Sequence, residues 1–60
     1  MSDKFEKATG RDITGWMEFM REHGDPHEFS HQELVKLASR GGASDWWSQG
    51  IAVEIERMIG

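Results

Sequence analysis

Ser44-Asp45-Trp46-Trp47-Ser48-Gln49-Gly50-Ile51-Ala52-Val53-Glu54-Ile55-Glu56-Arg57-Met58-Ile59, the stretch that runs up to Gly60, decides the fold. Trp47, Ile51, Ile55 and Met58 recur at steps of four, four and three, which sets them on one stripe of a helix with about 3.6 residues per turn. Such a stripe needs a cover. Trp46, Gly50, Val53 and Arg57 form a second stripe, displaced from the first by more than a third of a turn. One helix of a small bundle rarely buries both. Either the helix over 13–23 and the N-terminal segment together cover both stripes, or Trp46 and Gly50 form an exposed aromatic shelf.

Working outward, Gly41-Gly42-Ala43-Ser44 is a short glycine turn, with Ser44 placed to cap the helix 45–59. Before it, Ser30 and Glu33 have the spacing of a capping box, in which each side chain satisfies an orphan backbone donor, and Phe29 and Leu34 the spacing of a hydrophobic staple. The pattern predicts a helix over 31–40 that buries Leu34, Val35, Leu37 and Ala38 and leaves Lys36 and Arg40 wet. Asp12 is a suitable N-cap for a helix over 13–23 whose inner face is Ile13, Trp16, Met17 and Met20. Phe19 lies to one side of that face. Gly15 costs about 1 kcal/mol against alanine inside a helix, which predicts another backbone passing close to it. His23 is placed to interact with the last carbonyls, Gly24 to act as the left-handed residue after the helix, and Pro26 follows. Residues 1–10 are expected to fray, with room for one short helical turn docking Phe5.

The expectation is a single all-α domain over 1–60: a compact three-helix bundle in which the helices 31–40 and 45–59 are arranged like a helix-turn-helix. Its core is expected to be Trp16, Met20, Leu34, Leu37, Trp47, Ile51, Ile55 and Met58. With 60 residues such a domain buries only about 60% of the surface its unfolded chain exposes, so its stability is expected to be marginal. The chain has no cysteine, and neither a disulfide nor a thiolate metal site supports it. No apolar run reaches the roughly 18 residues of a membrane span, and Met1-Ser2-Asp3-Lys4 is no signal peptide, so the expected location is cytoplasmic. The net charge is −4 and neither half of the chain is basic. Neutralising the phosphates of a duplex requires clustered Lys and Arg, which the sequence lacks.

Candidate chemistry is sparse. His23, His27 and His31 are spaced four apart beside Asp25 and Glu28, a recipe for a divalent metal on one continuous helix. Gly24 and Pro26 interrupt that helix, so no metal site is expected and the histidines read as capping or surface residues. Ser30 and Ser44 are accounted for as caps. Ser2, Ser39 and Ser48 lie in no nucleophile elbow, and no glycine loop for phosphates is present. No catalytic residue, no enzyme activity and no cofactor is expected. The helix-turn-helix arrangement would make 45–59 the reader of DNA, yet its polar residues Asp45, Ser48, Gln49, Glu54, Glu56 and Arg57 hold three acids to one base.

The spacing Thr9-Gly10, Trp16, Ser30-His31 with Leu34, Val35 and Leu37, then Trp46-Trp47-Ser48-Gln49 with Ile51, Val53, Glu56 and Gly60, resembles a family of small bacterial helical domains of unknown function. In that family a Trp-Trp-x-Gln motif opens the last helix, and the domain is sometimes appended to a START-like domain. The likeness covers residues 9–60 and departs from the family at Ile55, where an aromatic is usual, and at Gly50, where a threonine is usual. It implies a compact helical fold and no particular activity. The functional expectation is therefore a non-enzymatic protein-interaction or structural module. Its contact residues would be Trp46, Gly50, Val53 and Arg57, since Trp and Arg are favoured interface anchors. The partner would be another protein or a second copy. DNA binding is the alternative, disfavoured by the acidic charge.

Overall fold

The computed structural model describes residues 4–60 as four α-helices, α1 (Lys4–Thr9), α2 (Ile13–His23), α3 (His31–Arg40) and α4 (Asp45–Ile59), with a 3₁₀ turn at Pro26–Glu28 between α2 and α3. The fold is all-α, with no strand among the described residues. The bounds of α2, α3 and α4 are those read from the sequence, because their caps form. The Gly15 amide donates to Asp12 Oδ1 at 2.7 Å. At α3 the Glu33 amide donates to Ser30 Oγ at 3.2 Å while the Ser30 amide donates to Glu33 Oε1 at 2.9 Å, so each satisfies the other's orphan group. The Trp47 amide donates to Ser44 Oγ at 3.4 Å. At the far end of α3 the Gly42 amide bonds the Ser39 carbonyl and the Ala43 amide the Ala38 carbonyl, both at 3.1 Å. This Schellman pairing needs a residue of positive φ, which Gly42 supplies at φ 107°.

Several expectations are corrected. Over 4–9 the first segment is not frayed: the short turn docking Phe5 for which it had room is a helix, α1, with Phe5 buried. Residues 1–3 of that segment lie outside the described residues. No backbone lies against Gly15: the nearest atoms a Cβ would meet are side-chain ones, Asp12 Oδ1 at 3.2 Å, Arg11 Cβ at 3.4 Å and Arg11 Cγ at 3.9 Å. Gly24 has φ 150° and ψ −161°, an extended conformation of positive φ, and the chain leaves α2 straight into the 3₁₀ turn.

The face that α4 buries is also turned from the expected one. Ile51 and Ile55 are fully buried as read, but so are Ser48 and Ala52. Both are small, and of all the pairs of elements α3 and α4 make the most extensive contact. That rotation leaves Met58 51% exposed, outside the core, while Ile59 packs against the core in its place. Trp47 and Leu37 are half-buried at the core's edge, whereas Trp16, Met20 and Leu34 are fully buried.

Trp16 lies at the centre of the bundle, and burying an indole buries a polar N–H that must find an acceptor. Trp16 Nε1–H donates to Thr9 Oγ1 at 2.8 Å, and the Thr9 hydroxyl in turn donates to the Phe5 carbonyl at 2.6 Å. The far edge of the ring presses on the turn after α3: a Cβ on Gly41 would come within 2.6 Å of Trp16 Cζ3. Arg11 closes the cluster. Its guanidinium carbon sits 4.9 Å from the Trp16 ring centroid and 4.6 Å from that of Phe19, and its Nη1–H donates to the Gly41 carbonyl at 3.2 Å. Trp16 thus ties α1, α2 and the α3–α4 turn together.

Two substitutions test this clasp by thermal or denaturant melts. Thr9→Val keeps the shape but leaves the buried indole N–H unpaired, and is expected to cost about 1–3 kcal/mol, with Thr9→Ser close to the parent. Gly41→Ala is compatible with the backbone (φ −76°, ψ 0°) yet is expected to destabilise by roughly 1–3 kcal/mol through overpacking against Trp16. Parent-like melts of both variants would contradict the clasp.

Candidate functional site

The outer face of α4 carries the residues singled out in the sequence, and α1 determines which remain open. Phe5 packs edge-on against Trp47, with ring centroids 5.6 Å apart at 77°, and lies 3.5 Å from where a Cβ on Gly50 would be. α1 therefore covers Trp47 and one flank of Gly50, and stops there. Trp46 stays 78% exposed and Val53 46% exposed, and Arg57 is exposed beside them. Between α1 and this stripe runs an open groove of about 360 Å³, bordered by Lys4, Phe5, Trp46, Gly50, Val53 and Arg57, with Glu54 also on its wall. Neither Lys4 nor Arg57 has an ion-pair partner among the described residues. The four residues read as one stripe do share one face, and Gly50 is its half-covered floor.

The sequence left room for a helical turn docking Phe5 and offered the N-terminal segment, with the helix 13–23, as a cover for both α4 stripes; it did not say that Phe5 would cover one and leave the other open. The available signal was Phe5, one apolar side chain among Asp3, Lys4, Glu6 and Lys7, but nothing local says that it meets Trp47 more than forty positions away.

The three histidines have separate partners. The His23 ring meets that of Phe19 at a tilt of 57°, with centroids 4.7 Å apart, and His27 Nδ1 lies 3.1 Å from Asp25 Oδ1. Asp25 caps the 3₁₀ turn, and its hydrogen bond from the His27 amide, with that from the His27 ring, holds its carboxyl below the ordinary value. His31, at the start of α3, reaches α4: Nδ1 is 2.7 Å from Glu56 Oε1 and Nε2 is 3.2 Å from Gln49 Oε1. With carboxylate and amide oxygens as acceptors on both sides, the doubly protonated imidazolium is the form that satisfies this geometry. The bond to Glu56, and then that to Gln49, raise the His31 pKa above its usual 6.5. Among the described residues no three His or carboxylate side chains group closely enough to hold a metal ion. Ser48 Oγ is buried and donates to the Ala43 carbonyl at 3.4 Å, so this hydroxyl serves the turn before α4.

No helix among the described residues is long and apolar enough to cross a membrane. Compared with models of known protein families, with curated proteins and with solved structures, the chain finds no match.

The His31 bridge gives a pH dependence of fixed sign. A histidine whose pKa is higher in the folded state than in the unfolded chain contributes stability fully below the unfolded value, and loses it as pH rises through the folded one. The melting temperature is expected to fall as pH is raised from below 6.5 through the raised value, and His31→Gln to flatten that component. An NMR titration of His31 with a midpoint at or below the free value would contradict the bridge.

Proposed function

We propose that this domain is a non-enzymatic protein-interaction or structural module whose contact face is the α4 stripe Trp46, Gly50, Val53 and Arg57. The observation that carries the reading is the exposure of Trp46, at 78% of its surface. A tryptophan left open on a rigid helix costs solubility and adds nothing to the fold, whereas at an interface it is the side chain most enriched among energetic anchors. Arg57 is the next most favoured type and lies on the same stripe. Gly50 leaves a concavity between them that a larger side chain would fill. Trp46→Ala is therefore expected to leave the melting transition of dilute protein, where no partner is bound, unchanged.

DNA reading by α4 receives less support. The order α3, glycine turn, α4 suits it, but Glu54 and Glu56 on α4 would be repelled by phosphate. The Gln49 carbonyl oxygen and Glu56 are both engaged by His31. Likewise, the resemblance to small bacterial domains of unknown function supports a compact module and adds no chemistry.

Photo-crosslinking tests the proposal. With benzoylphenylalanine at position 46, and at exposed position 22 on α2 as control, adducts to protein are expected at 46 alone. Excess unmodified domain should compete them away, and the Trp46→Ala domain should not. Equal labelling at the two positions, or none at 46, would contradict the reading.

A further inference from the structure

We propose that the occupant of the α4 face is a second copy of this chain, bound as an antiparallel α4–α4 dimer about a two-fold axis passing between Gly50 and Val53. The proposal rests on the interaction reading above and makes the partner specific. Symmetric dimers use one self-complementary patch, in which residue i meets residue j and j meets i. The stripe has this property. Its residues sit at positions 46, 50, 53 and 57, so reversing the helix about its midpoint exchanges 46 with 57 and 50 with 53. Trp46 of one copy then stands level with Arg57 of the other, about 16 Å along the helix from its own Arg57. Gly50 stands level with Val53 of the other copy.

Each pairing is chemically matched. A guanidinium over an indole face is a favourable cation–π contact, and this protein already uses one internally between Arg11 and Trp16. Glycine opposite a β-branched side chain lets two helices approach closely while filling the space between them. Charge selects the direction. Asp45 lies in the first turn of α4, and Arg57, its one cation, in the last. An antiparallel copy sets Arg57, the one cation of α4, beside the Asp45 turn of the other copy and not beside a second Arg57, and opposes the helix dipoles, while Glu54 and Glu56 flank Arg57 in either direction. A parallel copy would set Arg57 beside Arg57 and Asp45 beside Asp45. The face is also ready to receive it: Trp46, Val53 and Arg57 are exposed and Arg57 has no ion-pair partner among the described residues.

Sedimentation equilibrium over the micromolar to millimolar range, on the parent and three variants, tests the dimer. The parent is expected to fit a monomer–dimer equilibrium with no larger species, because a two-fold contact closes on itself. Trp46→Ala should weaken dimerisation more than tenfold, as loss of an anchor worth 2 kcal/mol does when about 1.4 kcal/mol is a factor of ten. Arg57→Glu should weaken it similarly. Gly50→Ala is the fold-preserving control. Its Cβ would make an ordinary contact with Phe5 at 3.5 Å and alanine favours a helix, so the monomer should melt no lower while the dimer weakens several-fold.

A parent that stays monomeric, open-ended polymers, or a dimer insensitive to Trp46 and Arg57 would overturn the proposal. The crosslinker at 46 separates the two levels of inference. An adduct to a second copy on the peptide bearing Arg57 supports the dimer. Competed adducts to other proteins alone overturn it and leave the broader reading standing.

Discussion

The hydrogen bond from the buried indole of Trp16 to the Thr9 hydroxyl is the interaction on which the rest depends. A 60-residue chain has little apolar area to spend, and its largest buried side chain carries a polar group into the core. In a low-dielectric interior that group must be paired. Thr9 can pair it only if α1 is folded back over α2, and the ring fits only if the residue after α3 has no side chain. The position of α1 and the approach of the α3–α4 turn thus follow from one side chain. Arg11 fastens the same ring to the Gly41 carbonyl.

Fixing α1 has a consequence for the surface. Once Thr9 is held against Trp16, Phe5 one helical turn earlier falls on Trp47 and beside Gly50. Over Lys4–Thr9, α1 covers Trp47 and one flank of Gly50 and leaves Trp46 and Val53 open. Two adjacent tryptophans, roughly 100° apart on the helix, therefore meet different surroundings: Trp47 lies under a phenylalanine and Trp46 lies in solvent. The proposed interaction face is what the clasp leaves uncovered.

Local chemistry was legible in the sequence and relations across the bundle were not. Asp12, Ser30 with Glu33, Ser44 and the Gly41-Gly42 pair fix the ends of α2, α3 and α4 because caps act on their own neighbours. The core of α2 was legible too, since Trp16, Met17 and Met20 are large and periodic. The rotation of α4 was not. Periodicity favours large side chains and pointed to Trp47 and Met58, whereas the small Ser48 and Ala52 are the ones fully buried beside Ile51 and Ile55. The pairing of Thr9 with Trp16 escaped for a related reason: a hydroxyl near a glycine reads as a helix end, and only the fold reveals it as an acceptor. The Trp46 stripe was visible as a pattern, but whether it was covered depended on Phe5.

Hydrogen exchange of the three tryptophan indole N–H groups, followed by NMR on dilute protein, tests most directly whether Trp16 is the closed centre and Trp46 the open face. Trp16 Nε1–H is expected to exchange only through global unfolding, as slowly as the most protected backbone amides of α4, while Trp46 Nε1–H exchanges about as fast as in a short peptide. Comparable protection of the two indoles, or a Trp16 signal lost at the rate of a fraying helix end, would contradict the account.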